Sequence, residues 1–167
     1  MKIAFSVDLE DWYQGIEKSF SDWGNFEKRV EIGFNKIMEL LAENNTKATF
    51  FTLGWIAEHY PQFIKQLSDA GHEIGSHTYR HEKVYDVTPN HFREEIVSTK
   101  KFIEDISGKA VTTHRSPFFS ITSKSLWALD ILKEEGFEID CSISPIKTWR
   151  YGIANCPDEI FSFKENG

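Results

Sequence analysis

Strand-like and helix-like stretches alternate along the chain, and that alternation restricts the fold more than any other feature of the sequence. β-prone runs at Ile3–Val7, Lys47–Leu53, Glu73–Ser76, Val111–Arg115 and Phe137–Ser142 are separated by stretches with helical periodicity. These cover Phe26–Asn44, Tyr60–Ala70, Asn90–Ile106 and a segment from Thr122 or Ser123 to Glu135. In the first, Val30, Phe34, Ile37, Leu40 and Leu41 recur at three and four; in the third, Phe92, Ile96, Thr99 and Ile103 form one stripe. Thr88 before Pro89 reads as a helix cap, and Gly71, Gly108 and Gly136 read as helix stops. Strands separated by helices become parallel neighbours joined by crossovers, so the pattern predicts an α/β sheet or barrel. Residues 13–25 and 144–157 read as loops, and Glu159–Phe163 as a sixth strand. With 167 residues, no internal repeat and no low-complexity linker, a single domain over 1–167 is expected.

The polar residues fall where those strands end. Asp8, Glu10 and Asp11 follow the first, His77 and His81 the third, Arg115 closes the fourth, and Asp140 lies in the fifth. The C-terminal ends of parallel strands share one rim, so groups far apart in sequence converge there. Three of the six histidines lie between Gly71 and His81, and the spacing of His77 and His81 puts two imidazoles on one face of a helical turn. Two imidazoles, one carboxylate and an open position make a catalytic divalent-metal site. A second carboxylate, not bound to metal, can then take the proton of the attacking water. Arg115 can pair with the proton-accepting carboxylate, and Asp140 can complete that network. Read for structure alone, the acids are a solvated loop and Arg115–Asp140 an ion pair at the rim.

Composition narrows the partners. Aromatic residues make up 14% of the chain, with 14 Phe and 5 Trp, enough both to fill a core and to line a groove. A net charge of −7 without a Lys/Arg run argues against nucleic acid or an anionic membrane surface as partner. No 18-residue apolar run suggests a transmembrane segment. Two cysteines without C-x-x-C spacing, and no leader before the first strand, set the expectation of a reduced, cytoplasmic setting.

Four ordered stretches carry a resemblance to the polysaccharide deacetylases, the NodB-homology group of carbohydrate esterases. Lys47-Ala48-Thr49-Phe50-Phe51 resembles that family's A-T-F-F strand. Gly71-His72-Glu73-Ile74-Gly75-Ser76-His77-Thr78-Tyr79-Arg80-His81 resembles its G-H-E-I-G-x-H-[ST]-x-x-H metal motif. Arg115-Ser116-Pro117-Phe118 resembles R-x-P-[YF], and Asp140-Cys141-Ser142 the Asp-rich fourth motif. The likeness runs from Phe5 to about Ser144. It implies a distorted, incomplete (β/α) barrel of parallel strands and metal-dependent removal of N-acetyl groups from an amino-sugar polysaccharide or oligosaccharide.

By position, the resemblance puts the metal, most simply zinc, on His77 and His81, and the catalytic base on Asp8. Arg115 would orient that base and Asp140 would hold Arg115. Pro117 and Phe118 would line the sugar groove, with the Phe118 N–H near the oxyanion. Two departures stand out. The family's paired acids are here Asp8-Leu9-Glu10-Asp11-Trp12, a spaced form that keeps both Glu10 and Asp11 as ligand candidates. The family's last motif, Leu-x-His, supplies a general acid, and no histidine follows His114. One or two barrel units are therefore expected to be missing, leaving an apolar strand edge open to self-association and little activity in the chain alone. A saccharide-binding domain without catalysis is the alternative that this departure supports.

Overall fold

Every strand predicted in the first 142 residues forms; the third has its predicted bounds and the other four are shorter than their β-prone runs. The computed structural model describes residues 4–16 and 19–162. The strands are β1 (Ser6–Leu9), β2 (Thr49–Thr52), β3 (Glu73–Ser76), β4 (Thr113–His114) and β5 (Ile139–Asp140). They form one parallel sheet in the order β1-β2-β3-β4-β5. Sequential order is that of a barrel wound in one direction, not of a sheet that reverses at a switch point. The result is an arc of barrel with β1 and β5 at its edges. Of the first predicted strand, Ile3 lies outside the described residues. The expected sixth strand does not form: residues 159–162 are irregular, and Phe163 lies outside the described residues.

Five α-helices cross between or follow the strands: α1 (Val30–Glu43), α2 (Gly54–His59), α3 (Pro61–Asp69), α4 (Pro89–Ser107) and α5 (Trp127–Glu134). Helix α4 begins as its sequence dictates, with the Thr88 hydroxyl accepting from the His91 N–H at 3.3 Å and Pro89 in the first turn. It ends at Gly108, whose φ of 67° a side chain would disfavour. Helix α5 starts later than expected. The Ser125 hydroxyl bonds Thr122 N and Ser120 O at 3.0 Å each, so a turn occupies residues that were read as its first positions.

Helix α2 has no signal in the sequence, where Gly54 after Leu53 reads as the exit of the second strand. Gly54 instead starts a helix at a crowded point of the fold. A Cβ there would lie 2.4 Å from Thr99 Oγ1 and 2.6 Å from Tyr79 Cδ2. The missing side chain lets α2, α4 and the segment after β3 close on one another, and Gly54 N–H donates to Thr78 O at 2.8 Å.

Two apolar clusters hold the helices to the sheet. Near β1 and β2, Phe34 of α1 stacks on Phe63 of α3 at 4.1 Å, beside buried Phe50, Leu53, Ile56 and Leu67. Around α4 and α5, Phe92, Ile96, Ile103, Ala128 and Leu132 pack with Val111 and Ile121. At 1.5–3 kcal/mol for each large apolar side chain removed from water, these clusters supply the main force that fixes the rim.

Candidate metal centre

Residues from β1 and from the segment after β3 meet beyond the C-terminal ends of the strands. Ligand atoms of Glu10, His77 and His81 all lie within 4.8 Å of one another. His81 Nε2 is 2.9 Å from Glu10 Oε2, and the two imidazole rings are 5.0 Å apart. Both histidines are buried, at 1% and 8% exposure.

The four-residue spacing works, though not by the predicted helical turn. Residues 77–81 form an irregular bend in which Thr78 and His81 have φ of 62° and 57°. Such left-handed geometry costs an L-residue about 1–2 kcal/mol, so other contacts must hold it. His77 is fixed by its other ring nitrogen: Nδ1 lies 2.6 Å from the Arg115 carbonyl oxygen. A carbonyl can only accept, so Nδ1 carries the hydrogen and Nε2 keeps a free lone pair. Burial, followed by the neighbouring His81, pushes the His77 pKa down, which favours the neutral imidazole that a metal requires.

Buried polar atoms test whether a cation fits. Glu10 Oε2 and His81 Nδ1 are buried with no hydrogen-bond partner. A carboxylate oxygen beside two imidazoles and without a donor is costly as it stands. The same three groups are a two-nitrogen, one-oxygen donor set suited to zinc or a similar divalent ion. The residues present fit the group.

Asp8 sits beside this set. Its Oδ1 accepts from Arg115 Nη1 at 2.7 Å, and its Oδ2 is 4.0 Å from His77 Nε2. Arg115 also donates to Ser6 Oγ at 3.0 Å. Its guanidinium lies over the Phe51 ring at 4.2 Å and near that of Phe119 at 5.6 Å. The planar cation is thus held by oxygens at its edge and by rings at its faces.

Three expected roles are corrected. Asp11 is not at the metal set. Its Oδ2 accepts from the N–H groups of Arg29 and Val30 at 2.8 and 3.1 Å, and its Oδ1 accepts from Trp12 N–H at 2.8 Å. These are donors that the start of α1 leaves unpaired, so Asp11 caps that helix from a distance and explains why it begins at Val30 rather than Phe26.

Asp140 does not grip Arg115. Among the described residues no hydrogen bond or ion pair joins them. Asp140 is paired with His114 across the sheet, near enough to Arg115 for that charge to draw its pKa down against the effect of burial. Its Oδ1 accepts from the Ser142 hydroxyl at 2.5 Å and its Oδ2 from Ser142 N–H at 3.0 Å. Ser142 Oγ in turn accepts from Ser116 N–H at 2.7 Å, so Asp140 supports the backbone beside Arg115 rather than the guanidinium. Burial pushes the Asp140 pKa up to about 6.

Pro117 is buried and offers little surface to a sugar. The rings on the outer side of the site are Phe118, edge-on to His81 at 4.6 Å, and Phe119, 37% exposed. Arg150 lies over Phe118 at 4.1 Å.

Sequence reasoning missed Ser6, Ser142 and Phe119, which carry no motif of their own, and the buried acid Glu95. Glu95 was findable: it lies within the buried stripe Phe92, Ile96, Thr99, Ile103, where a carboxylate is out of place.

The polysaccharide deacetylase family profile matches residues 24–139, and the chain belongs to that family. A peptidoglycan-N-acetylglucosamine deacetylase of Bacillus cereus is 36% identical over 96 residues, 57% of this chain and 35% of that protein. A solved peptidoglycan N-acetylglucosamine deacetylase, Bc1960, is 34% identical with a TM-score of 0.58, over 64% of this chain and 49% of that one. A mutant of BA3943, a CE4 family pseudoenzyme with restored enzymatic activity, is 26% identical with a TM-score of 0.57, over 64% of this chain and 38% of that one. The chain spans half or less of the length of each of these relatives.

Proposed function

We propose that this domain removes N-acetyl groups from an amino-sugar polymer of the peptidoglycan class, by metal-assisted hydrolysis. The observation that carries the reading is the donor set Glu10, His77 and His81 with the Arg115-held carboxylate of Asp8 at its side. The relatives named for peptidoglycan deacetylation support the substrate class. A divalent ion in this set supplies Lewis-acid polarisation of the acetyl carbonyl and a more acidic water.

The chain's own residues do the rest. Asp8 Oδ1 is engaged by Arg115, which leaves Oδ2, on the His77 side, to take the proton of the attacking water. Phe118 and Phe119 offer apolar ring surface against which a sugar can lie. The leaving amine needs a proton, and the other four imidazoles are engaged elsewhere. His59 bonds Trp55 O, His72 accepts from Ala48 N–H, His91 pairs with Glu82, and His114 is sealed against Ser116. Among the described residues Asp8, once it has taken the water's proton, is the group beside the site that carries one for the amine.

Acetate release from peptidoglycan fragments and N-acetylglucosamine oligomers, before and after chelation and zinc return, tests the reading. Asp8→Asn should keep zinc and lose roughly 10²–10⁴-fold in turnover. Saccharide binding with no acetate release in the zinc-loaded protein would favour the second reading, a binding domain that keeps the deacetylase fold. The likeness to a mutant of BA3943, itself a CE4 family pseudoenzyme, is what favours that alternative.

A further inference from the structure

Glu95 is a buried acid, 4% exposed, with no part in the chemistry above. It projects from α4 onto the bend that joins the two histidines. Its Oε2 accepts from the N–H groups of Tyr79 and Arg80, at 3.0 and 2.7 Å. Its Oε1 pairs with the Arg80 guanidinium. One turn further along α4, the Thr99 hydroxyl donates to the Glu95 carbonyl at 2.8 Å. From the other side Gly54 N–H holds Thr78 O. The three residues between His77 and His81 are thus gripped between α2 and α4.

We propose that Glu95 is a positioning residue for the metal centre, acting through the Tyr79 and Arg80 amides to fix the spacing of His77 and His81. The proposal rests on the reading of Glu10, His77 and His81 as a metal centre. The bend is left-handed at Thr78 and at His81, so no helical ladder keeps the imidazoles adjacent. Its two central amides need an acceptor, and an ionised carboxylate can take both and the guanidinium together through charge-assisted bonds.

A neighbouring arrangement invites a different assignment. Glu82, His91 and Glu95 also bring ligand atoms within 4.8 Å, with His91 Nε2 2.6 Å from Glu82 Oε2. Glu95 Oε2 already takes two N–H groups and Oε1 holds the Arg80 guanidinium, a cation whose charge opposes a metal ion at the same oxygen. The Glu82–His91 pair instead ties residue 82, just past His81, to the start of α4.

The test is zinc affinity, read by competition with a chromophoric chelator, together with the visible spectrum of the cobalt(II) form. Glu95→Gln should weaken zinc binding on the order of 10–100-fold and alter the cobalt bands while the circular dichroism stays that of the folded chain. In that variant one oxygen can still serve both amides, but the new NH₂ opposes Arg80. Adding Arg80→Gln removes the conflict, so the double variant should recover most of the affinity and the wild-type cobalt spectrum. Unchanged affinity and spectrum in Glu95→Gln would overturn the proposal. Wild-type protein that binds two zinc equivalents, one of them lost in Glu95→Gln, would also overturn it and make the second cluster a metal site. Amide exchange in the metal-free chain gives an independent reading: Tyr79 and Arg80 should exchange about tenfold faster in Glu95→Ala. That arm decides Glu95's hold on the bend even where wild type binds no zinc, a result that would sink the metal centre itself. Unchanged exchange in a folded Glu95→Ala overturns the proposal.

Discussion

Glu10 and Asp11 are neighbours in sequence, yet Glu10 keeps a buried oxygen without a donor while Asp11 spends both of its oxygens on backbone N–H groups. Their substitutions should therefore part company. Glu10→Gln should cost most of the zinc affinity with little loss of stability. Asp11→Ala should keep zinc and destabilise the fold by about 1–2 kcal/mol through the lost cap. Zinc titration and urea unfolding of the same two variants check both outcomes. His114 and Asp140, paired across β4 and β5, pull stability in opposite directions with pH. Burial lowers His114 to about 3, so its contribution is present above its ordinary value near 6.5 and is lost as the pH falls toward 3. Burial raises Asp140 to about 6, so its contribution is present below its ordinary value and is lost as the pH rises through 6. Between pH 4 and 6 the two largely cancel. Asp140→Asn removes one side and should make the chain more acid-sensitive there, by about 1.4 kcal/mol per pH unit. Urea midpoints across that range measure it.

At the scale of elements, the short segments decide the site. Gly54→Ala should destabilise by about 1–3 kcal/mol, because the added methyl meets Thr99 and the Tyr79 ring with no room to move; thermal unfolding reads the loss. The sequence made the strands, α1, α3, α4 and the convergence of Asp8, Glu10, His77, His81 and Arg115 legible, since each follows from local periodicity or from parallel topology. It left α2 hidden because six residues carry too little period to distinguish a helix from a strand exit. It misjudged Asp11 and Asp140 for a different reason. A carboxylate's role depends on which N–H groups reach it, and those of Arg29, Val30 and Ser142 arrive through tertiary packing. The His77–His81 spacing gave the right proximity for the wrong backbone, because a bend held by α4 brings residues four apart together as a helix would.

The described residues form an arc of sheet with β1 and β5 as its edge strands. Phe5 lies beside β1 with 48% of its surface exposed, and Ile139 on β5 has 53% exposed. We expect the 167-residue chain to self-associate through these edges as its concentration rises, with light scattering as the readout. A monomer at every concentration, with slowly exchanging Ser6–Leu9 amides, would count against that. None of its described helices is long and apolar enough to cross a membrane.

Among the described residues, the strand that delivers Asp8 and Glu10 has one hydrogen-bonded neighbour, whereas the strand that delivers the histidines has two. Warming should therefore not dismantle the molecule evenly. An edge strand opens at lower free-energy cost than an interior one, so the acidic half of the site should let go while the imidazole half is still in place. Chelatable zinc should then appear several degrees below the temperature at which the α4–α5 cluster melts. Heat inactivation would begin as loss of an ion, reversible on cooling, before it became loss of a fold.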